Sequence, residues 1–180
     1  MNWKQKVRIS IIVGNTTFNK MKIKFLFFSC LLFLSSCSVN KTDQQKLSNT
    51  IEIGEYEFDF PADFNKVEMQ GIDSYVGHVV GDSIKFYFDY GWYSNSLNER
   101  EQSMQYYVEK DSSNNIYSKI LWPKESVVGI TGIHVRRMPG TVEEKVQNSL
   151  TLTADSLNAQ QQELAKRIFK TVRLKDKKKD

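Results

Sequence analysis

The amino-acid sequence predicts an α+β domain, an antiparallel sheet with a C-terminal helix packed on it, from three observations. Ile84, Phe86, Phe88 and Tyr90 alternate with Lys85, Tyr87 and Asp89, the period-two pattern of a strand with one buried face. Gly81-Asp82-Ser83 just before this run is a tight turn, so residues 73–80 form the preceding strand of a hairpin. Near the end of the chain, Asn158 with Gln161 three residues on matches a capping box, and Leu164, Ala165 and Ile168 supply an apolar face. That spacing predicts a helix running to about Lys170. Several strands followed by one late helix give the class.

The remaining elements follow in order. Residues 51–60 alternate in places, with Tyr56, Phe58 and Phe60 against Glu57 and Asp59, and stop at Pro61, which predicts one strand ending in a turn. Residues 95–103 are polar and read as a loop or a short helix. Strands are expected at 104–109 and 116–122, on either side of the turn-rich stretch 111–115. Gly129 and Gly132 divide residues 127–138 into two short strands, or leave one strand broken by a bulge. Residues 146–153 are expected to form a strand, and 171–174 a last short one. The single domain is therefore set at residues 51–174.

The N-terminus carries a different signal. Lys22 and Lys24 precede an apolar run from Phe25 to Leu34, followed by the small residues Ser35 and Ser36. That is the charge, apolar core and cleavage grammar of an export signal. A spanning helix needs roughly 17–25 apolar residues, so the run is too short to remain in a bilayer. The block Leu34-Ser35-Ser36-Cys37 resembles the lipobox of bacterial lipoproteins. The resemblance implies a signal peptide at 21–36 and a diacylglyceryl group on the Cys37 thiol. Each buried methylene contributes about 0.8 kcal/mol, and one acyl chain alone binds only marginally, so two or three chains make a stable membrane anchor. Ser38 rather than Asp after the cysteine resembles an outer-membrane address, with the domain facing the periplasm. Met21 stands where such a signal begins, so residues 1–20 are expected to be an upstream extension absent from the native product. Residues 37–50 read as the lipidated cysteine and a flexible, polar tether.

A second resemblance concerns the domain itself. Phe58-Asp59-Phe60-Pro61 with Phe64, and Arg167-Ile168-Phe169-Lys170-Thr171-Val172 at the other end, resemble the opening strand and closing helix of Mog1/PsbP-like domains. These are α/β/α sandwiches around an antiparallel sheet. The group is functionally mixed, so the resemblance implies an architecture and no catalytic residue.

Charge excludes one class of partner. The chain has a formal net charge of +4, but residues 1–36 hold six basic residues and no acid. The rest carries 19 basic against 21 acidic residues, a net of −2. Nucleic acid, which calls for a dense basic face, is not expected as a partner. The basic stretch 175–180 reads as a solvated, disordered tail. Cys30 lies in the signal and Cys37 at the lipid site, so the domain has no thiol for a disulfide, a zinc site or a nucleophile.

Chemistry is sparse. Gly81-Asp82-Ser83-Ile84 spells the nucleophile block of GDS-type serine hydrolases, but no Asp lies three residues before His78 or His134 to complete the family's base motif. A serine without a positioned base is a weak nucleophile, and Gly-Asp-Ser is also what a hairpin turn requires. His78 and His134 are the two histidines; neither has a second ligand at helical spacing, and no metal or cofactor is expected. Residues 86–93 hold six aromatics. Alternation sends Phe86, Phe88 and Tyr90 to the core, which leaves Tyr87, Trp92 and Tyr93. These three either cover the sheet's second face beneath a helix or form a flat binding surface, for which Tyr and Trp give large contact area at low entropic cost. Arg136 is the residue expected to receive an anionic group. The expected function is a lipid-anchored binding, accessory or scaffolding module. The alternative is a small cell-envelope hydrolase using Ser83 or a histidine–carboxylate pair.

Overall fold

Ten strands and three short helices build the domain in a computed structural model that describes residues 45–176. The lipobox with Cys37, the signal, the upstream extension, most of the tether and residues 177–180 lie outside the described residues. In chain order the elements are β1 (Leu47–Ile53), β2 (Tyr56–Pro61), β3 (Asn65–Met69), β4 (Tyr75–Gly81), β5 (Ile84–Tyr90), α1 (Asn98–Glu101), β6 (Tyr106–Ser113) and β7 (Ile116–Pro123). Then come β8 (Ile130–Arg137), α2 (Val142–Gln147), β9 (Leu150–Asp155), α3 (Ala159–Phe169) and β10 (Arg173–Leu174). The architecture is mainly β, with seven strands in the order β3-β4-β5-β9-β8-β7-β6 and a second sheet β1-β2-β10. Every described strand pairing is antiparallel.

The β4–β5 hairpin forms where the alternation places it. Its two-residue turn has positive φ at both Asp82 and Ser83, the primed geometry whose twist matches that of the flanking strands. The β6–β7 turn repeats this at Asn114 and Asn115, so the strands run past the expected loop at 111–113. Alternate residues of β5, Ile84, Phe86 and Phe88, are buried and face the small sheet and α3. There Phe60, Phe64, Phe86 and Phe169 make one aromatic cluster. Phe60 and Phe86 have ring centroids 5.9 Å apart in an edge-to-face arrangement, and Phe86 and Phe169 lie 5.8 Å apart. Helix α3 starts at the expected cap: Asn158 accepts from the Gln161 amide at 2.9 Å and the Gln161 side chain accepts from the Asn158 amide at 3.1 Å. Its Leu164, Ala165, Ile168 and Phe169 are buried.

Several expected boundaries differ. The strand expected at 51–60 is a hairpin, because the chain reverses at Gly54 with φ 62°. β1 begins at Leu47, within the stretch read as tether, held by pairing from Leu47 opposite Pro61 to Ile53 opposite Tyr56. β3 has no counterpart in the sequence reading; it is an edge strand with a largely exposed surface, so little apolar alternation marks it. The strand expected at 146–153 starts only at Leu150. Residues 142–147 are helical, started by a capping box in which Thr141 accepts from the Glu144 amide and Glu144 from the Thr141 amide. The glycines at 129 and 132 do not divide β8, which pairs without interruption from Ile130 to Arg137. Gly132 serves close packing instead: a Cβ there would lie 2.7 Å from the Thr153 methyl. At the other end, Lys175 is fastened to the domain rather than frayed, its amide donating to the Glu55 carbonyl at 2.8 Å and its ammonium pairing with Glu52.

Truncating a large buried aromatic costs about 3–5 kcal/mol. Phe86→Ala, at the centre of the cluster, is expected to lower unfolding stability by that amount in urea titrations, whereas the exposed Tyr93→Ala should change it by less than about 0.5 kcal/mol.

Candidate functional site

The second face of the large sheet carries the polar chemistry. Strand register aligns Asp89, Thr151, His134 and Lys119 in one row across β5, β9, β8 and β7. The segment joining β5 to β6 folds back over this row. Lys119 is buried, and α1 satisfies it: Asn98 and Glu101, three residues apart and so on one side of the helix, accept from its ammonium at 2.6 and 2.8 Å. His134 is also buried. Its Nδ1 lies 3.1 Å from the Thr151 hydroxyl, which donates to the Asn95 carbonyl and lies 2.8 Å from the Ser94 hydroxyl. The imidazole, the two hydroxyls and the Asn95 carbonyl thus form one buried polar cluster. Burial, reinforced by the charges of Lys119 and Arg136, pushes the His134 pKa down to about 4. The imidazole is therefore neutral at ordinary pH.

Beside His134 the same face opens into a cavity of about 310 Å³. Its floor is His134 and Arg136 of β8, two positions apart and hence on one side of the strand. One wall is Trp92, Ser94 and Ser96; the other is Val142, Lys145 and Val146, at i, i+3 and i+4 along α2, closed by Ser149. Arg136 lies over the Tyr117 ring, 4.6 Å from its centroid, and its Nε is buried without a hydrogen-bond partner among the described residues.

Of the residues singled out in the sequence, Trp92 and Arg136 meet in this cavity. Tyr87 and Tyr93 are exposed and do not line it. Among the described residues no helix covers Tyr87, which instead packs against His78 with ring centroids 5.6 Å apart. Adjacent Arg136 and Arg137 part company: Arg137 points to the opposite side and pairs with Glu55 at 3.1 Å. Ser83 stands at the tip of the β4–β5 turn in left-handed backbone. His78 and His134 are separated by β5 and β9, about 14 Å at the usual strand spacing, too far to share one metal ion. Among the described residues no group of three or more His, Cys, Asp or Glu is placed to hold a metal.

No family model matches the chain, and neither a curated protein nor a solved structure is significantly similar to it. The reading of the site therefore rests on its own geometry. Sequence inspection missed Lys145, Ser94 and Thr151; the Thr141–Glu144 capping box was the signal that would have placed Lys145 on a helix. Nothing local marks Ser94 or Thr151, which meet only across 57 residues of chain.

The depressed pKa of His134 makes a stability prediction. An unfolded histidine titrates near 6.5, so between pH 6.5 and about 4 the unfolded chain binds a proton that the folded one refuses. Stability from this group is complete above pH 6.5 and is lost as pH falls towards 4, by about 3 kcal/mol in all. Urea denaturation across this range should show that loss, and His134→Gln should flatten the slope.

Proposed function

We propose that the protein is a lipid-anchored binding module of the bacterial cell envelope, held through Cys37 at the outer membrane and facing the periplasm. Its ligand site is the cavity beneath Trp92. The observation that carries the binding reading is the meeting of Trp92, Arg136 and a buried, neutral His134 in one concave site. A cavity of this size, with one aromatic wall and a few convergent polar groups, has the character of a small-ligand pocket. The anchor reading is supported by the block Leu34-Ser35-Ser36-Cys37 behind its short apolar run.

We also propose the finer architectural reading, a Mog1/PsbP-like α/β/α sandwich. It is supported by the placement of α3 and the small sheet on one face of the seven-stranded sheet and of α1 and α2 on the other. The hydrolase alternative gains no support from Ser83, which has no histidine hydrogen-bonded to it among the described residues.

Cys37→Ser is expected to move the protein from the membrane pellet to the soluble fraction, and intact-mass analysis of the wild-type product should give a chain starting at acylated Cys37. A soluble wild-type product, or one retaining residues 1–20, would overturn the anchor reading.

A further inference from the structure

We infer that the cavity selects small molecules that join an oxyanion, carboxylate or phosphate, to a flat apolar body; this rests on the binding reading above. Two cations, Arg136 and Lys145, line the same cavity. Neither has a carboxylate at ion-pair distance among the described residues. The domain does pair its cations elsewhere: Arg173 forks both oxygens of Asp59 at 3.0 Å, Arg137 takes Glu55, and buried Lys119 takes Glu101 at 2.8 Å.

The cavity has no acidic wall. On α2, Glu144 is turned to the Thr141 amide at 2.8 Å and borders the neighbouring depression, which Lys145 also touches. Arg136 is half-buried with its Nε enclosed in the protein, so the rest of its guanidinium is what meets the cavity, and that planar fork is the side-chain group best shaped to bond an oxyanion. Neutral His134 adds no charge, so the anion's place is between Arg136 and Lys145. The Ser96 hydroxyl, which has no hydrogen bond to any described residue, is the remaining polar contact. Trp92, half exposed at 50%, and Val146 supply apolar surface for a flat body.

The test is a ¹H–¹⁵N NMR titration of the full chain in detergent, following the Trp92 indole and the amides of Ser94, Val146 and Ser149. Four probes are used: phenyl phosphate, benzoate, inorganic phosphate and benzyl alcohol. At least one aromatic anion should shift these signals with an affinity at least tenfold above that of benzyl alcohol and of inorganic phosphate, and the stronger of the two names the oxyanion. Arg136→Gln and Lys145→Gln should each weaken that binding at least tenfold with unchanged thermal melts. If Arg136→Gln unfolds the domain, Lys145→Gln alone decides. Benzyl alcohol binding as tightly as the anions would overturn the oxyanion inference and leave the cavity reading standing. Inorganic phosphate binding as tightly would overturn the apolar-body part. If no probe shifts the cavity signals, both readings fall.

Discussion

Burial of one face of the seven-stranded sheet against the aromatic side chains of β2 and α3 is the constraint on which the rest depends. Phe60, Phe64, Phe86 and Phe169 interlock at centroid separations of 5.5 to 6.2 Å. An aromatic of this kind buries roughly 150–250 Å², and four of them meet here. Because side chains of a strand alternate between faces, committing Ile84, Phe86 and Phe88 to this layer also commits Lys85, Tyr87 and Asp89 to the other side. The same rule on β8 sends Ile133 and Val135 inward and His134 and Arg136 outward. The polar face that carries the candidate site is thus a by-product of the core.

That second face is covered selectively. The β5–β6 segment lies over Lys119 and His134 and is fixed by polar bonds, from Asn98 and Glu101 to Lys119 and from Ser94 and Asn95 to Thr151. Burying a cation is costly unless it is paired, and α1, only one turn long, meets that cost at Lys119. Arg136 is treated differently. Stacked on Tyr117 and left without a carboxylate, it holds its charge toward a cavity rather than spending it within the fold. This contrast between two cations on neighbouring strands separates a lysine bonded within the fold from an arginine that lines the cavity, and the proposed ligand site rests on it.

The fold was legible where patterns are strong and local. The β4–β5 hairpin, strand β5 and the α3 cap stand at the residues whose alternation and spacing announce them. The misses have physical causes. β3 is an edge strand held by backbone pairing to β4; its alternation of Val67 and Met69 with Lys66 and Glu68 is only two apolar residues long, too short to mark a strand. The first part of β1, Leu47 to Thr50, has the composition of a polar tether, and pairing to β2 overrides that composition. At 146–153 the apolar run masked a helix end, since Val142 and Val146 belong to a four-residue helical spacing and Leu150 to a new strand. Within the site, Trp92 and Arg136 could be named from chemistry, but their shared cavity could not.

By itself the sequence determined which residues are apolar, how they alternate, where helix α3 begins and which side chains carry charge. These follow from local covalent geometry and propensity. Tertiary structure alone decided that His134 is buried beside Lys119, that Arg137 meets Glu55, and that Lys145 from a helix and Trp92 from a loop close on the same space. Those outcomes depend on strand order and register, which join residues far apart in the chain, and no local pattern records that pairing.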